Sequence, residues 1–207
     1  MVKIAFLVSG GGTNLQAVID SHREGKIKNA ELSLVVSSKP EVYALERAKQ
    51  NGIPAHVIDR KKYPDAAGFT RAVLDLLKRN QIELVVLAGF LSILTEEIVR
   101  EFPNAMINVH PALIPSFCGQ GFYGLRVHEA ALEKGVKVTG ATVHFVTGEC
   151  DGGPIILQKA VDVLPKDTAE TLQKRVMEQC ERDILPKAVS LFCEGKLEVN
   201  GNIVRIV

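Results

Sequence analysis

Short runs of uninterrupted apolar residues recur along the chain, with amphipathic stretches between them. Ile4-Ala5-Phe6-Leu7-Val8, Glu31 to Val36, Leu84 to Phe90 and Ala105 to Val109 show little or no polar face, the pattern of strands covered on both sides. Helices are predicted between them: one carrying Leu15, Val18 and Ile19, one over 42–50 stopped by Asn51-Gly52, one over 69–79 and one over 95–101. A short strand is expected near 55–58. Farther on, the pattern predicts a helix over 126–133 and strands over 140–146 and 155–163 around a glycine-rich turn. A long helix over 168–192, with Pro186 as the place for a bend, and an Asn-Gly hairpin over 197–204 complete the chain. This alternation specifies an α/β fold of three layers: a mostly parallel twisted sheet with helices on both faces, turning antiparallel toward the C-terminus. The 207 residues are expected to form a single domain, 1–207, ending in a small hairpin.

Composition narrows the partners. Twenty-five basic residues against twenty-four acidic ones give a formal charge of +1, without the blocks of like charge that would track a phosphate backbone or an anionic membrane. Four cysteines, Cys118, Cys150, Cys180 and Cys193, are scattered without a Cys-x-x-Cys pair, which fits the reduced thiols of a cytoplasm. Five apolar residues follow Met1-Val2-Lys3 before Ser9, too few for a signal-peptide core, and no later run reaches membrane-spanning length. The expectation is a soluble cytoplasmic protein with small-molecule partners, no nucleic acid and no membrane.

Candidate chemistry gathers where apolar runs end in polar residues. The strand ending Asn108-Val109-His110-Pro111 puts an amide and an imidazole two residues apart, hence on one face, and Pro111 keeps His110 extended. In an open parallel sheet such strand ends face the ligand; a satisfied buried histidine and a turn asparagine are the plainer alternative. The first strand runs into Ser9-Gly10-Gly11-Gly12-Thr13-Asn14, where outward amides and a helix N-terminus can cradle a phosphate, with Thr13 and Gln16 at capping-box spacing. It is not a dinucleotide fingerprint, since Leu15 stands at the third glycine, and not a Walker loop, since no Gly-Lys-Ser/Thr follows. The second strand closes on Ser37-Ser38-Lys39-Pro40, where a nicotinamide enzyme would carry an acid for the ribose. A single phosphomonoester is the simpler guest.

Leu91, Ile93 and Leu94 form either an apolar slot for a flat ring or ordinary core. Ser116 to Gly124 holds three glycines and three aromatics, the makings of a loop that closes over a ligand. Asp151, the carboxylate in an Asp-Gly-Gly-Pro turn, is either a partner for a catalytic imidazole or a turn residue. His144 alternates with apolar residues as a core histidine would, and His56 reads as structural. The five histidines lack ligand spacing, so no metal is expected.

These segments together, Ser9-Gly10-Gly11-Gly12-Thr13-Asn14-Leu15-Gln16, Leu87-Ala88-Gly89-Phe90, Asn108 to Pro115, Val143-His144-Phe145-Val146 and Asp151-Gly152-Gly153-Pro154, resemble in order and spacing the phosphoribosylglycinamide formyltransferases, folate-dependent enzymes of purine synthesis. The resemblance covers nearly the whole chain and implies a Rossmann-like formyltransferase fold. It implies transfer of the formyl group of 10-formyltetrahydrofolate, a co-substrate, to the primary amine of glycinamide ribonucleotide, without a metal, in a monomer or homodimer. By the same resemblance Asn108, His110 and Asp151 are catalytic, Gly12, Thr13 and Asn14 hold the ribotide phosphate, and Glu181 lies near the amine. Leu91, Ser92, Ile93, Leu94 and Asn108, with Thr147, Gly148, Glu149, Cys150 and Asp151, embrace the folate.

The chain departs from the commoner pattern at Ser92 and Ala66, where arginines are frequent, with Lys61 or Lys62 available to compensate. Gly11 replaces a frequent asparagine, and Glu181-Arg182 replaces Glu-His. Formyltetrahydrofolate hydrolase and methionyl-tRNA formyltransferase resemble the chain around the same Asn, His and Asp but carry further domains, and a non-enzymatic nucleotide-binding module leaves those three residues without a role. The expected chemistry is direct attack of a neutral amine, with Asn108 and protonated His110 stabilising the oxyanion and a bell-shaped pH profile whose alkaline limb belongs to His110.

Overall fold

A computed structural model describes residues 1–207 and divides into two compact units, 1–107 and 108–207. In the first, β1 (Val2–Val8), β2 (Ala30–Ser37), β3 (Ala55–Val57) and β4 (Leu84–Leu87) pair in the order β3-β2-β1-β4, all parallel. Their connections carry α1 (Thr13–Arg23), α2 (Tyr43–Gln50) and α3 (Ala66–Arg79), and α4 (Glu96–Glu101) follows β4. Ile4 to Val8, Leu34 to Val36 and Leu84 to Val86 are buried with Leu15, Val18, Phe69, Val73 and Leu77, which is why these strands have no polar face. β4 stops short of the expected Phe90 because Gly89, at φ 72°, turns the chain out of the sheet. α3 starts three residues earlier than its apolar period suggested, because the Asp65 side chain caps it by accepting from the Gly68 amide, 2.7 Å.

β5 (Met106–His110) carries the chain from the first unit into the second. There α5 (Leu125–Lys134) precedes β6 (Val138–Phe145) and β7 (Ile155–Asp162), which pair antiparallel. The hairpin β8 (Leu197–Asn200) and β9 (Ile203–Ile206) joins β7 through the parallel pair Ile155–Ile203, giving the order β6-β7-β9-β8. Asn200 pairs with Ile203, so the two-residue hairpin loop is Gly201-Asn202, one position beyond the expected Asn-Gly.

The expected long helix is three segments: α6 (Ala169–Val176), a π-helical turn (Met177–Glu181) and α7 (Arg182–Cys193). The irregularity precedes Pro186 instead of centring on it. A proline inside a helix lacks the N–H for the carbonyl four residues back and crowds it, and the widened turn ends immediately before that residue, Arg182. α6 is capped by a reciprocal Thr168–Thr171 box and anchored by a two-pronged ion pair from Arg175 to Asp167, 2.6 Å on each arm. No helix is long and apolar enough to cross a membrane.

Candidate active site

In the first unit, Gly12 caps α1 from the left-handed region, at φ 72°. A Cβ there would lie 2.7 Å from Ala44 Cβ, so glycine is required by α2 packing as well as by backbone conformation. The expected Thr13–Gln16 capping box does not form: α1 has no side-chain cap. The Gln16 amide instead donates to Asp20, 2.8 Å, and its oxygen accepts from Arg47, 3.0 Å, pulled away from the helix start by that guanidinium. An uncapped first turn leaves backbone N–H groups for an anion. Thr13 is half-buried and Asn14 buried beside them. Ser9 Oγ lies 2.7 Å from Ser38 Oγ and accepts from the Leu91 amide, 2.9 Å, tying the turn to the start of the apolar lip. Leu91 and Ile93 are 56% and 76% exposed, so the alternative of ordinary core does not hold, and Ser92 and Leu94 are half-buried between and beside them.

In the second unit, Asn108, His110 and Asp151 come together. Asp151 Oδ2 stands 3.4 Å from His110 Nδ1, and its Oδ1 stands 3.5 Å from Asn108 Nδ2. The carboxylate is held by the Gly119 amide, 2.9 Å from Oδ2, which belongs to the glycine-aromatic loop and not to the aspartate's own turn. That turn is fixed by Gly153, where a Cβ would run into the backbone oxygen of Phe145. Thr147, Gly148, Glu149 and Cys150 form its outer, largely exposed arc. Glu181 closes the π turn and is buried; π turns recur at functional positions because they re-aim side chains.

His144 was legible only as a core histidine, and it is buried, yet its contacts are those of a site residue. Nδ1 lies 2.8 Å from the Phe145 carbonyl, and Nε2 lies 3.2 Å from Asn108 Nδ2 and 3.6 Å from Asp151 Oδ1. The Phe117 carbonyl, also unforeseen, accepts from His110 Nε2 at 2.8 Å. Both nitrogens of His110 therefore face acceptors, and the doubly protonated ring satisfies both. Burial works against that charge and brings the His110 pKa below its ordinary value, with Asp151 and the Phe117 carbonyl opposing. For Asp151, burial is outweighed by the His144 ring, the His110 charge and the Gly119 amide, so the carboxyl ionises below its usual range.

His128 on α5 is fully buried with neither ring nitrogen hydrogen-bonded; burial and the His110 charge push it down to about 4, leaving it neutral at physiological pH. Burial and Asp151 raise the thiols of Cys118 and Cys150, so neither is an activated thiolate. No group of three or more His, Cys, Asp or Glu side chains is arranged to hold a metal ion.

The second unit thus offers an oriented imidazole and amide beside a fixed carboxylate, which suits stabilisation of a developing oxyanion. Glycinamide ribonucleotide transformylase 1 from Symbiobacterium toebii superposes with a TM-score of 0.94 at 43% identity, covering 100% of this chain and 94% of that one. The curated phosphoribosylglycinamide formyltransferase of Haemophilus influenzae is 40% identical over 203 residues, 98% of this chain and 92% of the relative. The trifunctional purine biosynthetic protein adenosine-3 of Bos taurus is 43% identical over 200 residues, and the chain spans 19% of its length. Residues 2–189 match the family described as formyl transferase, and the chain belongs to that family.

Proposed function

We propose that the protein transfers the formyl group of 10-formyltetrahydrofolate to the primary amine of glycinamide ribonucleotide, in the cytoplasm and without a metal. The observation that carries this reading is the Asp151 carboxylate set between the His110 and His144 rings with Asn108 on the same oxygen as His144. The neutral amine attacks the formyl carbon, and the carbonyl π electrons move to the formyl oxygen. His110 Nε2–H and the Asn108 amide bind that oxygen. As it collapses back to a carbonyl, the C–N bond to the folate breaks, the folate nitrogen leaves with the electron pair, and the proton lost by the amine ends on it, giving tetrahydrofolate. No covalent enzyme intermediate is needed, in keeping with the protonated state of the two nearby thiols.

His110 Nε2 is held by the Phe117 carbonyl, so the formyl oxygen takes over that acceptor's place when the loop yields. Gly12, Thr13 and Asn14 receive the ribotide phosphate, and Glu181 the amine end. Leu91, Ser92, Ile93 and Leu94 with the 147–151 turn receive the pterin, a role favoured by the exposure of Leu91 and Ile93. Holding two substrates in register supplies the larger part of the acceleration, and a positioned acid–base group adds about 10²–10⁴-fold.

The test is release of tetrahydrofolate from 10-formyltetrahydrofolate with and without glycinamide ribonucleotide. Release that requires the ribotide is expected. Equal release in its absence would make the protein a hydrolase, and binding without turnover in either mixture would make it a nucleotide-binding module.

A further inference from the structure

Arg47 lies outside every role given above, yet its guanidinium is committed to the glycine turn. Its Nε donates to the Gly11 carbonyl at 2.8 Å, and its Nη1 donates to Gln16 Oε1 at 3.0 Å. The guanidinium carbon sits 4.8 Å from the centroid of the Tyr43 ring, which fixes the plane of the fork by cation–π contact. One residue earlier in the turn, the Gly10 carbonyl accepts from the Ala44 amide, 3.2 Å. Two consecutive carbonyls, Gly10 and Gly11, are thus drawn toward α2.

A trans peptide points its N–H opposite to its C=O. With both carbonyls turned to α2, the amides of Gly11 and Gly12 are turned the other way, and a Cβ built at Gly11 meets nothing within 4 Å. The first turn of α1 carries no side-chain cap, so these amides join uncapped helix donors. Resting on the reading of this turn as the ribotide-phosphate site, we propose that Arg47 is a positioning residue for phosphate recognition: it aims the Gly12 amide at the anion by gripping the Gly11 carbonyl from behind. The contribution comes from geometry and not from the positive charge. Only a planar group with two separately directed donors reaches a backbone carbonyl and a side-chain amide at once, and lysine is a point charge without that fork.

The experiment compares wild type, Arg47→Lys and Arg47→Met using the ribotide and its phosphate-free analogue, glycinamide riboside, as acceptors. In both variants the ribotide KM is expected to rise about ten- to hundredfold, the loss of one or two well-aimed hydrogen bonds to a charged group. The kcat, the KM for the formyl folate and the kcat/KM for the riboside are expected to stay near wild type. A normal ribotide KM in Arg47→Lys overturns the proposal, since charge alone would then suffice. An equal loss with ribotide and riboside also overturns it, since the role would then be general packing. Should Arg47→Met not fold, Arg47→Lys decides alone. If wild type itself uses ribotide and riboside equally well, the phosphate-site reading fails instead, a result distinct from either failure of Arg47.

Discussion

Asn108 Nδ2 lies 3.2 Å from His144 Nε2, and the direction of that hydrogen bond is set by the far side of the ring. His144 Nδ1 faces the Phe145 carbonyl at 2.8 Å, which can only accept. Nδ1 therefore carries a proton, and in the neutral ring Nε2 accepts, so the Asn108 amide is turned with its nitrogen toward the Asp151 side of the cluster. A backbone carbonyl thus fixes a ring tautomer, and the tautomer fixes the orientation of a side chain placed in the reaction.

His144→Phe keeps the ring's shape and removes the acceptor, so kcat is expected to fall about 10²-fold, the scale of losing one oxyanion donor, with both substrate KM values little changed. His144→Gln, whose Oε1 can accept from Asn108, is expected to retain most of the lost rate. Steady-state kinetics of the two variants decide it. Equal activity of His144→Phe and wild type would return His144 to the role of a core histidine.

The glycine turn yields a pair of contrasting substitutions. Gly12→Ala places a Cβ against Ala44 at a left-handed φ, so it is expected to lower stability by about 1–3 kcal/mol as well as to weaken ribotide binding. Gly11→Ala meets nothing within 4 Å, so its stability is expected to stay within about 0.5 kcal/mol of wild type. Thermal denaturation with and without ribotide separates the two. A Gly12 variant as stable as wild type would remove the packing reason for that glycine.

The strands were legible because a strand covered on both faces leaves a continuous apolar run, as in Ile4 to Val8. The gathering of Asn108, His110 and Asp151 was legible because polar residues at the end of such a run, or in a glycine-rich turn, stand out against the apolar pattern. The π turn at Met177–Glu181 was not, since it depends on how Pro186 is accommodated by the turn before it. The contacts of His144 with Asn108 and Asp151 were hidden because alternation with apolar residues looks the same for a core histidine and an orienting one. The Phe117 carbonyl was out of reach altogether: its direction depends on left-handed backbone at Phe117 and Gly119, and a backbone oxygen leaves no mark in the residue types.

Outside the site, Arg175 grips the Asp167 carboxylate with both arms of its guanidinium. Arg175 first, then the Leu164 amide and Thr171 hydroxyl, outweigh burial and hold the Asp167 carboxyl well below its ordinary range. Its folded pKa is depressed, so its contribution is complete above the unfolded value, about 3.9, and is lost as the pH falls through the folded value. The pair is part-buried, so Arg175→Met is expected to destabilise by about 1–2 kcal/mol at neutral pH and to flatten the loss of stability below about pH 4. Urea unfolding at pH 7 and pH 3 measures both. An unchanged acid slope in the variant would show that Asp167 does not carry it.

The pH dependence of transfer follows from where burial puts His110. The reacting form needs a neutral amine and a protonated imidazole. An α-amino group titrates near 7.7–8.0, whereas His110 lies below its ordinary 6.5 because burial outweighs Asp151. With the imidazole titrating below the amine, the active form is the minor protonation state, and the limbs exchange owners: the acid break belongs to His110 and the alkaline break to the amine. This reverses the assignment expected from the residue types alone. Asp151→Asn removes the carboxylate that supports the imidazolium, so the His110 pKa falls further. Asparagine accepts the left-handed backbone at this position, φ 55°, and its amide oxygen can still receive the Gly119 N–H, so the turn is expected to hold. The acid break should move to lower pH, the plateau should drop about tenfold for each unit of that move, and the alkaline break should stay in place. Single-turnover formyl transfer from pH 5 to pH 10 on both proteins reads all three. An unmoved acid break with a near-normal plateau would take Asp151 out of the reaction and leave it as a turn residue.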